Sequence, residues 1–209
     1  MAVDEKQKKK PVIILIGGIP GVGKSSISGF LAKNLGVDIV LSGDYLREFI
    51  RPILNSETRD LLNVSVYEAW KLLGEETEEN IADGFLLQGK VLNKGLNAVL
   101  SRAIRNGESL IVETLYFIPS QIEKEILNNI TLLYIYISSK ELNSQRLLER
   151  EKFTHFNSPG GRLSDQLDRY RVMMKYSLEE CKKYGIKAFD NLNYQDTREQ
   201  ILRYVKSLN

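Results

Sequence analysis

A glycine-rich segment, GGIPGVGKSS from Gly17 to Ser26, constrains this chain more than any other feature of its sequence. An apolar run, Pro11 to Ile16, precedes it, and apolar residues with helical spacing follow it. A strand, a glycine loop and a helix in this order match the pattern GxxxxGK[ST] in the context that the pattern needs. Glycines let successive N–H groups point inward, and the helix N-terminus adds positive potential. The segment therefore predicts a phosphate-binding P-loop.

The residues of the P-loop divide the predicted work of binding a nucleoside triphosphate. Lys24 is expected to reach the β and γ phosphates and to act in catalysis, and Ser25 is expected to bind magnesium. The other loop residues predicted to contact the nucleotide are Gly18, Gly21, Val22, Gly23 and Ser26. A glycine-rich turn without chemistry is the alternative interpretation. ATP and Mg²⁺ are the predicted cofactors.

Composition and charge narrow the class of protein further. The 209 residues are 43% hydrophobic and 27% charged, which fits one soluble domain over residues 11–209, after a disordered basic tail at residues 1–10. A net charge of +2 indicates no strong field for a membrane or nucleic acid, so a small anionic substrate is the expected partner. A signal peptide and apolar runs of about eighteen residues are absent, which makes cytoplasm the default location. Oligomeric state stays open.

Apolar runs alternate with helical stripes along the chain. The runs predict five strands, at 11–16, 37–41, 109–112, 130–137 and 186–189. Helices between strands predict an α/β fold with a doubly wound parallel five-stranded sheet. After Pro52 the periodicity is mixed, which predicts a helical cap at about residues 51–90. Pro159, Gly160 and Gly161 predict a mobile lid at about residues 152–164, followed by one long helix from Arg162 to Tyr184.

Two acidic residues follow predicted strands, where ligands bind in an open α/β sheet. Asp44 is expected to face the P-loop and to orient or deprotonate an acceptor hydroxyl, unless it is only a helix N-cap. Arg47 shares its helix face and is predicted to anchor an anionic acceptor. Glu113 ends the third strand, where a carboxylate can hold the magnesium shell. A surface carboxylate is the alternative interpretation of Glu113.

Basic residues near the predicted lid suggest how charge on the transferred phosphoryl group is neutralised. Arg146 and Arg150 lie four residues apart on one helix face and are predicted to be catalytic, while Arg162 is predicted to bind substrate. A merely solvated face is the alternative interpretation. His155 is the only histidine and has no histidine or cysteine partner in the sequence pattern, which argues against a transition-metal site.

Over nearly its whole length the chain resembles the 2-phosphoglycerate kinases, P-loop enzymes related to the nucleoside monophosphate kinases. The matching pieces are GVGKS at 21–25, the strand end with Asp44, Leu46 and Arg47, YEAWK at 67–71, GFxxQ from Gly84 to Gln88, the strand ending in Glu113 with Pro119 after it, and a later helix rich in arginine and tyrosine. Where the family pattern follows the glutamate with Gly and then His and Leu, this chain has Thr114, Tyr116 and Phe117.

The resemblance implies a P-loop kinase that transfers the γ-phosphoryl group of MgATP to 2-phosphoglycerate, giving 2,3-bisphosphoglycerate. The predicted substrate contacts are Asp44, Arg47, Arg51, Gln88, Tyr116 and Arg162. Gln88 also falls near the buried face of a predicted helix, where its amide needs either a backbone partner or a bound substrate. Another acceptor, such as a nucleoside monophosphate, a sugar acid or an RNA end, remains open, as does a nucleotide-binding switch or adaptor without turnover.

Overall fold

Five parallel strands form the sheet that carries the predicted site. The computed structural model describes residues 10–153 and 160–208. The strands are β1 Ile13–Gly17, β2 Val40–Ser42, β3 Leu110–Thr114, β4 Thr131–Tyr136 and β5 Lys187–Asp190. Their order across the sheet is β2, β3, β1, β4, β5, and every pairing is parallel. The predicted parallel five-stranded α/β sheet is therefore confirmed.

Helices connect the strands and cover the sheet. They are α1 Lys24–Leu35, α2 Gly43–Ile50, α3 Ser56–Asn63, α4 Glu78–Asn106, α5 Lys124–Leu127, α6 Lys140–Phe153, α7 Gly160–Ser164, α8 Leu167–Tyr184 and α9 Tyr194–Leu208. Short 3₁₀ turns lie at Arg51–Ile53, Val66–Leu72 and Pro119–Gln121. Three of the helices, α1, α4 and α8, end at left-handed glycines, Gly36, Gly107 and Gly185, which close the last turn without a Cβ penalty. In the described part of the chain, no helix is long and apolar enough to cross a membrane.

The position of a strand in the sheet decides how its side chains are buried. β1 lies in the centre and all five of its residues are buried, because helices cover both faces of a parallel sheet. β2 is at an edge and has only one neighbour, so Val40 remains 41% exposed. The prediction of a buried strand at 37–41 was wrong in this respect. The strand also begins three residues later than expected and ends at Ser42.

The segment around the predicted lid differs from the sequence expectation. Gly160 and Gly161 are not loop residues but begin α7, and the single helix predicted from Arg162 is divided into α7 and α8. A Cβ atom at Gly160 would lie 2.2 Å from the carbonyl oxygen of Leu147, so glycine lets α7 pack directly on the backbone of α6. Pro159 and His155 lie outside the described residues, as does most of the predicted basic tail.

Candidate active site

The P-loop connects β1 to α1 and adopts the turn that its glycines predict. Gly21 and Gly23 have φ angles of 79° and 94°, in the left-handed region that favours glycine. The amide of Gly18 donates to the carbonyl oxygen of Thr114 at 3.2 Å, which fixes the start of the loop on β3. Lys24 Nζ crosses the loop and donates to the carbonyl oxygen of Ile19 at 3.1 Å. Hydrogen bonds within the chain therefore hold the P-loop in this conformation.

Glu113 lies directly beside the P-loop. β3 pairs with β1 so that Glu113 is opposite Ile16, and the end of β3 meets the beginning of the loop. Ser25 Oγ donates to Glu113 Oε1 at 3.0 Å, and Lys24 Nζ lies 4.0 Å from Glu113 Oε2. Burial lowers the pKa of Lys24, and the negative charge of Glu113 acts in the opposite direction. Glu113 is only 8% exposed, so interpreting it as a surface carboxylate was wrong.

Asp44 lies in the first turn of α2, at the end of β2. The N-cap of this helix is Ser42, whose Oγ accepts a hydrogen bond from the amide of Asp44 at 3.3 Å. Interpreting Asp44 as the N-cap was therefore wrong. After burial and Glu113, the charge of Asp44 is a further influence on the pKa of Lys24, which it raises. Asp44 is therefore within electrostatic reach of the P-loop lysine.

The two arginines predicted on α6 have different surroundings. Burial lowers the pKa of Arg150, while the charges of Asp44 and Glu113 raise it. The guanidinium of Arg150 is therefore within electrostatic reach of both carboxylates. Arg146 donates instead to the carbonyl oxygen of Leu192 at 3.1 Å, in the loop after β5. The structure thus brings Arg150 together with Lys24, Asp44 and Glu113, and gives Arg146 a different contact.

Arg162 approaches the same group from α7. Its Nη1 donates to the hydroxyl of Tyr67 at 3.0 Å, and its charge is among the influences that lower the pKa of Arg150. The ring of Tyr67 meets Tyr170 edge-on, with centroids 5.7 Å apart, and both side chains are buried. The sequence interpretation did not assign these tyrosines to the site. The YEAWK segment carried the signal for Tyr67, but no separate pattern identified Tyr170.

Three residues predicted to bind substrate meet at the C-terminal end of α3. Gln88 Nε2 donates to the carbonyl oxygens of Leu61 at 2.8 Å and of Val64 at 3.0 Å. Arg47 Nη2 donates to the carbonyl oxygens of Leu62 and Val64, the second at 3.0 Å. The hydroxyl of Tyr116 donates to Gln88 Oε1 at 2.6 Å.

These contacts give both ends of the Gln88 amide protein partners. Of the two outcomes expected for a buried glutamine, the backbone partner is the one observed. Burial raises the pKa of Tyr116 far above the ordinary range, which keeps its hydroxyl protonated and able to donate. Arg51 forms an ion pair with Glu48, with Nη2 and Oε2 2.6 Å apart. Direct substrate contact by these residues stays a prediction.

We expect Gln88→Leu to lower the free energy of unfolding by about 2–4 kcal/mol, because the buried Tyr116 hydroxyl and the Leu61 carbonyl each lose a partner. Urea unfolding measures the change. Gln145→Leu is the control, since among the described residues the Gln145 amide bonds only to Glu149, on an exposed helix face, and we expect a change below about 0.5 kcal/mol. Unchanged stability together with a raised KM for the acceptor would show that Gln88 is primarily a substrate ligand.

Comparison with known proteins links this geometry to kinases. Residues 17–156 match the AAA domain family. The chain is 45% identical over 190 residues to mevalonate-3-phosphate 5-kinase of Thermoplasma acidophilum, covering 91% of this chain and 93% of that kinase. It is 31% and 32% identical to the 2-phosphoglycerate kinases of Methanopyrus kandleri and Pyrococcus horikoshii, covering 97% and 94% of this chain. It spans 63% and 65% of the lengths of those two kinases.

Solved structures support the same architecture. Shikimate kinase from Acinetobacter baumannii, crystallised with shikimate, matches with a TM-score of 0.54 and 18% identity, over 97% of this chain and 96% of that chain. The protein TT1252 from Thermus thermophilus matches with a TM-score of 0.56 and 21% identity, over 95% of this chain and 98% of the other. At these identities the likeness shows the fold alone.

Proposed function

We propose that this chain, which belongs to the P-loop kinase family of mevalonate-3-phosphate 5-kinase and the 2-phosphoglycerate kinases, phosphorylates a hydroxyl group of a small phosphorylated hydroxy acid. That it is a phosphotransferase follows from its family. The acceptor, the metal and the roles of individual residues are the proposed part.

One observation carries the assignment of roles: Lys24 Nζ lies 4.0 Å from Glu113 Oε2 at the end of the sheet, and the charges of Glu113, Asp44 and Arg150 all act on the pKa of Lys24. Phosphoryl transfer depends mainly on alignment and on stabilising charge on the transferred group. In our proposal Lys24 and Arg150 neutralise the phosphates of ATP as transfer proceeds. Asp44 orients the acceptor hydroxyl and accepts its proton.

Magnesium fits the pair formed by Ser25 and Glu113. Mg²⁺ prefers oxygen ligands and is commonly held by one or two carboxylates together with substrate phosphates and water. The Ser25 hydroxyl and the Glu113 carboxylate are already joined at 3.0 Å beside the P-loop. When bound there, the ion would supply positive charge that neutralises the phosphates of ATP. Glu113 would hold its water shell, and Ser25 would contribute the hydroxyl ligand.

The proposed acceptor is mevalonate 3-phosphate, phosphorylated at its 5-hydroxyl. The 45% identity to the Thermoplasma kinase exceeds the 31% and 32% to the two 2-phosphoglycerate kinases. The sequence resemblance had placed 2-phosphoglycerate first, although the ETLYF segment at 113–117 departs from that family's pattern. A different acceptor is consistent with the departure, because Tyr116 lies in this segment and its hydroxyl donates to Gln88, another predicted substrate contact.

An acceptor screen tests the proposal. With MgATP, we expect kcat/KM for mevalonate 3-phosphate to exceed that for 2-phosphoglycerate by at least about 10²-fold, because a site built around one acceptor leaves its polar groups unpaired with another. ADP release measures turnover, and EDTA is expected to abolish it. Mevalonate, AMP, CMP and a 5′-hydroxyl RNA serve as comparison acceptors. A higher kcat/KM for 2-phosphoglycerate or for a nucleotide would reject mevalonate 3-phosphate as the substrate.

A further inference from the structure

Two fully buried asparagines hold the P-loop from two other elements of the fold. Asn143 on α6 donates Nδ2 to the carbonyl oxygen of Pro20 at 3.2 Å. Asn191, just after β5, donates Nδ2 to the carbonyl oxygen of Val22 at 2.8 Å. Both side chains are 0% exposed. Within the described residues, the Oδ1 atom of each has no hydrogen-bond partner, so each amide is buried at a cost that its contact with the loop must offset.

The glycines of the loop permit these contacts. A Cβ atom at Gly21 would lie 2.8 Å from Asn143 Nδ2 and 2.8 Å from Leu147 Cγ, and one at Gly23 would lie 2.8 Å from Asn191 Nδ2. Both glycines therefore do more than adopt left-handed φ angles: they allow side chains from α6 and from the end of β5 to touch the loop backbone. Because Gly21 and Gly23 have no side chains, α6 and the residue after β5 pack directly on the backbone of the P-loop.

The contact from α6 bears on the position of Arg150. Asn143, Leu147 and Arg150 are spaced i, i+4 and i+7 on α6, which places them on one face of the helix. The first two touch the loop, and Arg150 lies one turn further along, where its pKa responds to Asp44 and Glu113. The same face of α6 therefore packs on the P-loop and carries the guanidinium of Arg150 toward the site.

We propose that Asn143 and Asn191 are positioning residues for phosphoryl transfer. Asn143 fixes α6 on the P-loop and thereby sets the distance between Arg150 and the phosphates that the loop binds. Asn191 fixes the Val22 carbonyl and thereby the orientation of the loop N–H groups that face the nucleotide. The two asparagines act on different steps: Asn191 on nucleotide affinity, and Asn143 on the chemical step through Arg150.

A double-mutant cycle on the full chain separates these roles. We compare Asn143→Ala, Arg150→Ala and the double variant by kcat, using whichever acceptor gives the highest rate in the screen. We expect Asn143→Ala to lower kcat about tenfold in the parent chain and less than about threefold in the Arg150→Ala background. The second factor is smaller because the Arg150→Ala variant has no guanidinium for Asn143 to position. An equal factor in both backgrounds would overturn the role of Asn143. If Asn143→Ala does not fold, Asn143→Ser replaces it, because serine is polar but shorter than asparagine.

Nucleotide affinity tests Asn191 without any acceptor. Titration calorimetry with ATP and Mg²⁺ is expected to show about tenfold weaker binding for Asn191→Ala, and a smaller change for Asn143→Ala. Asn97→Ala is the matched control, because Asn97 is also buried and its Nδ2 donates to a backbone carbonyl, that of Gln121, at 3.1 Å. Equal losses of ATP affinity for Asn97→Ala and Asn191→Ala would overturn the proposal. These binding measurements do not depend on which acceptor the enzyme uses.

Discussion

Replacing Lys24 by alanine is expected to lower kcat by about 10²–10³-fold while leaving the fold intact. The ammonium group lies between the P-loop carbonyl of Ile19 and the carboxylate of Glu113, where it would meet the phosphates of the bound nucleotide. The positive charge of Lys24 is expected to stabilise the negative charge that develops on the leaving oxygen during transfer. Loss of one such group costs about 3–4 kcal/mol of transition-state stabilisation, or about 10²–10³-fold in kcat.

The burial of Lys24 makes its removal tolerable for folding. Desolvation lowers the pKa of the lysine, so the charged form gains less from the folded protein than an exposed lysine in an ion pair would. Glu113 keeps its hydrogen bond from Ser25 when the lysine is removed. We therefore expect the thermal midpoint of Lys24→Ala to stay within about 5 °C of the parent, as measured by circular dichroism.

Two further variants make the Lys24 result interpretable. Lys24→Met keeps most of the aliphatic stem and removes only the charge, so it is expected to lose as much activity as Lys24→Ala. Lys33→Ala removes a charge from an exposed position in the last turn of the same helix and is expected to retain full activity. Activity of Lys24→Ala near that of Lys33→Ala would reject the P-loop assignment.

Local sequence patterns were enough to predict the sheet and the phosphate side of the site. The P-loop pattern specifies a strand, a turn and a helix within one short segment, so Lys24 and Ser25 are placed by residues next to them. Glu113 is distant in sequence but ends an apolar strand, and strand ends share one edge of a parallel sheet. Its contact with Ser25 therefore follows from two local patterns and one rule of topology.

Contacts between distant polar residues could not be predicted in the same way. Gln88 and Arg47 are distant in sequence from the end of α3, and only the fold brings backbone carbonyls there to these two side chains and the Tyr116 hydroxyl to Gln88. Arg146 and Arg150 lie on one face of the same helix, but Arg146 donates to the loop after β5, whereas the charges of Asp44 and Glu113 act on Arg150. Neither asparagine that contacts the P-loop belongs to a motif, and asparagine is usually exposed.

Asp44→Asn is expected to produce the other large loss of activity. The substitution keeps the size of the side chain but removes its ability to accept a proton from the acceptor hydroxyl, a contribution of about 10²–10⁴-fold in kcat. Because Ser42, not Asp44, caps α2, the helix keeps its cap in the variant. We expect stability and ATP affinity to stay close to those of the parent, and the loss to fall on kcat.

Asp38, six residues before Asp44 in the sequence, provides the control for Asp44→Asn. Asp38 is exposed and precedes β2, so Asp38→Asn makes the identical chemical change away from the site. Steady-state kinetics with saturating MgATP should show full kcat for Asp38→Asn and a severe loss for Asp44→Asn. If Asp44→Asn instead raised only the KM for the acceptor, Asp44 would position the hydroxyl without taking its proton. Alignment and the charges of Lys24 and Arg150 would then account for the chemical step.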